Sequence, residues 1–313
     1  MEKPPVHKPK AMLRREAGLG AVSERSRVDP KIGARLIVVS HRRRNDRDQP
    51  SRGRPPGPEH AASTGHRRRL EEAQGEWLWG WHTVVAALGN PDRAPVKRLV
   101  ATADRARAIA ERFGAARPVE IADPVAIGNL LPQGAVHQGV ALRIPPIEPL
   151  SLEDLAQPAD GFLLMLDQVT DPQNVGAIFR AAAAFGAKGV ILQDRHAPAL
   201  AGALAKAAAG AIDKIPHARE TNLSRALERL EKMGWRAVGL DGEAPESLAR
   251  TLDARPTVLV MGSEGEGLRR LVREHCDVLA KIPMPGGFES LNVAAAAAVA
   301  LYEASRPRGG PKS

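Results

Sequence analysis

Apolar and polar positions fall into a regular rhythm from residue 76 onward. The stretch "EWLWGWHTVVAALGNP" reads as a short strand followed by a helix, closed by Gly89-Asn90-Pro91. Strand "VKRLVAT", helix "DRARAIAERFG" ending at Gly114, strand "VEIAD", short helix "PVAIGNLL" and strand "HQGVALRI" follow. This alternation predicts a small α/β layer over 76–147. The proline-rich stretch "PPIEPLSLEDLAQPAD" then reads as a linker, over 148–160.

From 161 to 306 the rhythm is that of a second, larger α/β unit. "FLLMLD" is a continuous apolar run, the kind that a parallel sheet buries on both faces. Helix "NVGAIFRAAAAFG", strand "GVILQ", an alanine-rich helix near 198–210 and a short strand "DKIP" come next. Helix "NLSRALERLEKMG" leads to strand "WRAVGL", and a connection leads to strand "TVLVMG". A last cycle has helix "LRRLVREHC", strand "VLAKIPM" and a helix through the alanine run 294–298. Strands and helices alternating in this way predict a doubly wound, mostly parallel sheet. No internal repeat is visible.

Composition narrows the class. The chain has 313 residues, enough for two domains and an ample core, with only 3% aromatic residues but many aliphatics and alanines. Its one cysteine, Cys276, excludes an intrachain disulfide and a cysteine metal cluster, and suggests a reducing compartment, the cytoplasm. The nine histidines are scattered without paired ligand spacing, so no metal is expected. The longest apolar stretch, 293–302, is too short to span a bilayer, and the N-terminus lacks an apolar signal core.

Charge is unevenly placed. Residues 1–74 hold 18 Lys/Arg against 9 Asp/Glu, and the rest of the chain holds 27 of each. The excess therefore sits in a tail, 1–75, rich in Pro, Gly, Arg and His, which is expected to be disordered, as is the short C-terminus 307–313. Polyvalent arginine suits phosphate chains and points to RNA. The plain alternative is a solubilising extension, and a transit peptide is opposed by Glu2, Glu16 and Glu24.

Three loops of the larger unit could carry chemistry. In "DQVTDPQNVGAIFRAAAAFG", after the first strand, Asp171 and Asn174 lie where such sheets bind ligands, although Asn174 is also a good helix N-cap. On the helical wheel Val175, Ile178, Phe179 and Ala182 cluster. Arg180 points away beside Ala177 and Ala184, either into solvent or, given that small-residue face, at a seam with another subunit. In "VLVMGSEGEGLRRL" the glycines follow G-x-x-G-x-G, without the order of a dinucleotide site or the Lys-Ser/Thr of a P-loop. Glu264 and Glu266 there favour a ligand that is neutral or cationic at this end. In "PMPGGFESLNVAAAAAVALYEASR", Ser290 and Asn292 could simply cap the last helix.

In this order and at this spacing the three loops resemble the motifs of the SpoU/TrmH group of SPOUT methyltransferases. "N-V-G-A-x-x-R-x-A-x-x-F-G" at 174–186 is similar to the first motif, "VMGSEGEGL" at 260–268 to the second, and "IPMPGGFESLNVAAAAA" at 282–298 to the third. "GWHTVVAALGNP" and "AVHQGVALR" resemble the N-terminal substrate-binding domain, of ribosomal-protein L30e type, in the RlmB-like 23S rRNA guanosine 2′-O-methyltransferase branch. The resemblance covers 76–306.

What it implies is a deep trefoil-knotted α/β domain, S-adenosyl-L-methionine as cofactor, an RNA ribose 2′-hydroxyl as methyl acceptor, and a homodimer with sites near the subunit interface. Backbone groups of Gly262, Ile282 and Leu291 would hold the cofactor, with Gly265 shaping the pocket. The family's polar residues map onto Asn174, Arg180, Glu264, Ser290 and Asn292. Arg180 would activate the 2′-oxygen or stabilise its developing charge. Asn174, Ser290 and Asn292 would orient the ribose or Arg180, and Glu264 would brace the cofactor loop. Phe288-Glu289 departs from the small residues of close relatives, and the basic tail is no part of the family pattern. Within the enzyme class tRNA is the alternative substrate. From other classes, a catalytically silent RNA-binding knot protein is opposed by the intact polar set, and a dinucleotide oxidoreductase by the missing G-x-G-x-x-G.

Overall fold

The computed structural model describes residues 77–93, 95–286 and 290–306. The expected tail over 1–75 and the C-terminus 307–313 lie outside the described residues, as do Phe288 and Glu289.

Strands β1 (Trp77–Trp79), β2 (Arg98–Ala101), β3 (Glu120–Ile121) and β4 (Val140–Arg143) form a four-stranded sheet in the order β1-β4-β2-β3. β4 runs antiparallel to both of its neighbours, while β2 and β3 are parallel. Helices α1 (Trp81–Gly89), α2 (Ala103–Phe113) and α3 (Pro124–Gly128) complete this layer.

The larger sheet has six strands: β5 (Phe162–Leu166), β6 (Gly189–Gln193), β7 (His217–Glu220), β8 (Arg236–Leu240), β9 (Thr257–Met261) and β10 (Val278–Ala280). Their order is β10-β8-β9-β5-β6-β7, and every neighbouring pair is parallel. The accompanying helices are α4 (Leu152–Ala156), α5 (Pro172–Phe185), α6 (Gly202–Ala208), α7 (Leu223–Lys232), α8 (Leu248–Thr251), α9 (Arg270–Glu274) and α10 (Val293–Ser305). β5 and β9 lie side by side at the centre and are almost wholly buried, as their unbroken apolar runs require. From β5 the chain winds outward through β6 and β7, then crosses to β8 on the other side. The winding direction thus changes between β5 and β9. Loops leaving the carboxyl ends of these two strands border the crevice where such sheets bind ligands.

Three expectations change. The proline-rich stretch 148–160 is not simply a linker, because it contains α4, capped by Ser151 and burying Leu152, Leu155 and Ala156. Trp235 Nε1 donates to the Ala156 carbonyl at 2.8 Å, fixing it against the larger unit. The strand expected at 213–216 begins instead at His217, and Asp213 ends a 3₁₀ turn, Ala211–Asp213. Asp213 is held there by a buried ion pair with Arg93, and "HARE" hid the strand because its core-facing residue is a histidine. Finally, Asp171 and not Asn174 is the N-cap of α5. Its carboxylate accepts the Asn174 N–H at 3.0 Å, and Pro172 follows in the first turn.

The two sheets' layers meet along α1 and α6. Thr83 Oγ1 donates to the Ala205 carbonyl at 3.1 Å in a buried setting. Arg93 Nε and Asp213 Oδ1 are 2.7 Å apart, with both side chains 2% exposed. Asn90 donates to the same carboxylate at 3.2 Å, and Arg93 Nη1 donates to the Pro145 carbonyl at 2.9 Å. The pair is therefore fully hydrogen-bonded as well as buried.

His217 sits in the core, edge-on to Phe179 with ring centroids 6.4 Å apart. Burial lowers its pKa to about 4, and the nearby Arg219 and Arg93 charges push the same way. A folded-state pKa below the unfolded value of about 6.5 means that the unfolded chain takes up the proton first as pH falls. Stability contributed by neutral His217 is therefore present near pH 7 and is lost from about pH 6.5 down to about pH 4, by roughly 3 kcal/mol. Urea unfolding across this range checks it: His217→Gln should show a shallower pH dependence than the parent chain.

Candidate active site

The site grows from the ends of β5 and β9. Immediately after β5, Asp167 is wholly buried. Its two oxygens accept the Arg269 N–H at 2.9 Å and the Arg269 Nε–H at 2.7 Å, and its own N–H donates to the Met261 carbonyl at 2.8 Å. A buried carboxylate needs such partners. The contacts bolt both ends of the glycine-rich loop, 262–268, to the start of α5's loop. Sequence reasoning passed over Asp167 and Arg269; the signal was an acid placed directly against a five-residue apolar strand.

The glycine-rich loop closes on itself. Ser263 and Gly267 exchange two backbone hydrogen bonds of 3.1 Å. A Cβ at Gly262 would overlap the Gly267 carbonyl carbon. The close approach that forbids a side chain at 262 is to the loop's own returning backbone. Gly265 turns the tip with φ +92°.

Folded this way, the loop aims Glu264 at the start of α10. Glu264 Oε1 accepts Asn292 Nδ2 at 2.6 Å, the Val293 N–H at 3.0 Å and Asn174 Nδ2 at 3.3 Å. Asn292 Nδ2 also donates to Asn174 Oδ1 at 3.0 Å. Asn292 Oδ1 meanwhile caps α10 by accepting the Ala294 and Ala295 N–H groups at 3.0 and 3.2 Å. A carboxylate suits a helix N-terminus, where unpaired N–H groups leave a partial positive charge. Because Asp171 caps α5, the Asn174 amide is free to join this cluster. One residue from each of the three loops thus meets at a single oxygen.

The other expected site residues are placed less tightly. Ser290 is exposed, and Leu291 is 42% exposed, both just ahead of Asn292. Ile282 is half-buried just beyond β10. Among the described residues no hydrogen bond joins Ile282 or Leu291 to Gly262. Arg180 is exposed on α5, six residues or about 9 Å along the axis beyond Asn174. It makes no hydrogen bond or ion pair among the described residues, and the chain does not bring it to the Asn174–Glu264–Asn292 cluster. Ala177 and Ala184 beside it are exposed. Along α10, Ala295, Val299 (43%) and Tyr302 (54%) form an exposed stripe, and Tyr302 meets Phe185 of α5 edge-on at 5.8 Å. No group of three or more His, Cys, Asp or Glu among the described residues could hold a metal ion. No described helix is long and apolar enough to cross a membrane.

Glu264→Ala removes the acceptor of the Val293 N–H and of the Asn174 amide, and leaves Asn292 Nδ2 only its bond to Asn174 Oδ1. The expected result is a stability loss of about 1 kcal/mol, while Glu264→Gln, which keeps one acceptor, loses less. Thermal unfolding of the two variants side by side checks the ranking.

Residues 161–302 match the family model described as the SpoU rRNA Methylase family. The RlmB 23S rRNA (guanosine-2′-O-)-methyltransferase of Xylella fastidiosa is 48% identical over 181 residues, covering 56% of this chain and 72% of that protein. A tRNA/rRNA methyltransferase of Mycobacterium avium is 44% identical over 179 residues, and the match spans only 58% of its length. Among solved structures, an AdoMet-bound rRNA methyltransferase from Sinorhizobium meliloti superposes with TM-score 0.63 at 26% identity, over 76% of this chain and 89% of that one. The AdoMet complex of the SpoU methyltransferase AviRb from Streptomyces viridochromogenes gives 0.62 at 25% identity, over 76% and 92%. A chain with this parallel sheet and this three-loop cluster, so matched, belongs to the SpoU methylase family.

Proposed function

We propose that this protein transfers a methyl group from S-adenosyl-L-methionine to a ribose 2′-hydroxyl of RNA, with a guanosine of 23S rRNA as the target. The observation that carries the reading is the meeting of Asn174, Glu264 and Asn292, which joins the three motif loops at one place. RlmB relatives at 48% and 45% identity support the rRNA guanosine in particular.

The residues present fit the cofactor. Glu266 is exposed on the glycine-rich loop, which suits a cationic sulfonium and would repel a pyrophosphate. Leu291 offers exposed apolar surface beside the cluster, suited to a purine face. Gly262, Gly265, Ile282 and Leu291 would hold the cofactor, which supplies an electrophilic methyl group. Glu264 braces the loop through α10 and fixes the Asn174 and Asn292 amides. Those amides and the Ser290 hydroxyl orient the ribose. A guanidinium keeps its charge throughout the physiological range, so Arg180 serves better as a stabiliser of the developing 2′-oxyanion and a phosphate ligand than as a base.

Arg180 reaches a site by association of two copies. Ala177 and Ala184 beside it on α5, and Ala295, Val299 and Tyr302 on the neighbouring α10, are exposed small and apolar residues, which supports a homodimer in which Arg180 of one protomer serves its partner's cluster. The family likeness further supports a trefoil knot through the second and third loops, with the four-stranded layer as the RNA-recognition unit. The whole reading is tested by incubating the protein with methyl-labelled S-adenosylmethionine and total RNA, then mapping the label. Label in a 23S guanosine ribose is expected; label confined to tRNA would move the substrate, and no labelled RNA would end the proposal.

A further inference from the structure

One group of side chains lies at the seam of the two layers, apart from the three-loop cluster. At its centre is Gln138, exposed and held in the left-handed region with φ +55°. Its Oε1 accepts the Trp81 N–H at 2.9 Å and Lys206 Nζ at 2.9 Å. Its backbone carbonyl accepts Arg105 Nε at 3.1 Å. The Arg105 guanidinium also lies over the Trp81 indole, 4.7 Å from the ring centroid. Trp81, Arg105 and Gln138 belong to the four-stranded layer and Lys206 to α6 of the other.

Two cations therefore converge on one uncharged residue, Lys206 on its side chain and Arg105 on its backbone carbonyl. Among the described residues neither Arg105 nor Lys206 has an ion pair. Several other cations in the fold are paired with acids, Arg93 with Asp213, Arg229 with Glu153 and Glu220, and Arg269 with Asp167, while half-buried Arg219 donates to the Pro198 carbonyl. Lys206 is partly desolvated, which lowers its pKa, without a carboxylate to compensate. A non-glycine residue in a sparsely populated backbone region persists only where its surroundings hold it, and such positions gather at ligand sites. The arrangement lacks one thing, a negative charge.

We propose that Arg105, Lys206 and Gln138 bind a backbone phosphate of the substrate RNA at this seam, with Trp81 packing beside the adjoining nucleotide. The ligand class is a phosphodiester in single-stranded or looped RNA. Both layers contribute to it, so the RNA spans the seam on its way to the methyl-transfer site. The inference rests on RNA being the substrate, and it adds a contact outside the three-loop cluster.

Gln138→Glu tests it, because the swap is nearly isosteric. The new carboxylate accepts the same two donors better than the amide does, so the melting temperature should hold or rise, while the phosphate loses its place. With the full chain and a fluorescein-labelled stem-loop of 23S rRNA, affinity should fall about tenfold. The slope of log K against log salt should flatten by about 0.7, one single-strand phosphate contact. Unchanged affinity and slope in a folded Gln138→Glu protein would overturn the proposal. Arg105→Gln, which removes one cation without adding an acid, should flatten the slope by about half as much. Inorganic phosphate is the second probe. If it raises the melting temperature of the parent but not of Gln138→Glu, while RNA affinity is the same in both, the site takes a free anion and the RNA assignment fails. Loss of RNA affinity in Gln138→Glu, from a parent that binds RNA but transfers no methyl group, would uphold the phosphate site and end the catalytic reading alone.

Discussion

Arg180→Ala is expected to lower the methyl-transfer rate roughly 10²–10³-fold, the effect of deleting one donor to a developing oxyanion, and to leave the melting temperature unchanged. The second half follows from the fold: Arg180 is exposed and holds nothing in its own chain. A variant slowed this far with unchanged stability would point to Arg180 acting on the substrate. Arg180→Lys keeps the charge but not the planar fork, and should recover only part of the rate. Mixing subunits separates the two possible geometries. If Arg180→Ala and Glu264→Ala are each impaired alone, they should regain activity on mixing where Arg180 serves its partner's cluster. One of the two sites in the mixed dimer then has both groups intact. No recovery on mixing, with exchange of subunits verified, would place Arg180 and Glu264 in one chain's site; normal rates in Arg180→Ala would remove the residue from the mechanism.

Asp213→Ala should be the most destabilising of the single changes considered. It leaves the Arg93 guanidinium, 2% exposed, without its counter-charge. Breaking a buried pair on one side costs about 3–5 kcal/mol, which for a folded region of this size lowers the melting temperature by roughly 10 °C. Asn90 loses its acceptor as well. The double change Arg93→Met with Asp213→Ala removes the stranded charge and should recover part of the loss, because the cost of the single variant is mostly that of burying an unpaired cation. Calorimetric melting of the three proteins gives the ranking. A single variant as stable as the parent would show that the seam between the layers does not depend on this pair.

These two residues differ in how visible they are along the chain. Arg180 stands out, an arginine among alanines on a helix whose apolar stripe lies elsewhere. Asp213 does not. The reading "DKIP" took it into a strand, because nothing local distinguishes an acid that ends a turn from one that begins an edge strand. Its partner is 120 residues away. Asn174 shows a subtler limit. Two good capping residues, Asp171 and Asn174, lie three apart, and local preference does not choose between them. The choice decides which side chain joins the three-loop cluster, since the cap consumes one and leaves the other free.

By itself the sequence determined the order and type of nearly every element, because apolar periodicity and capping chemistry act over a few residues. It also marked the three loops, through residue types that a plain helix start does not need together. The tertiary structure alone decided that Glu264 would meet Asn174 and Asn292, 90 and 28 residues distant, and that Asp167 would lock the glycine loop through Arg269, 102 residues on. It alone brought Lys206 of one layer to Gln138 of the other. Such meetings depend on strand order and on how one layer docks against another. Both are set by the packing of the whole core, which no local stretch encodes.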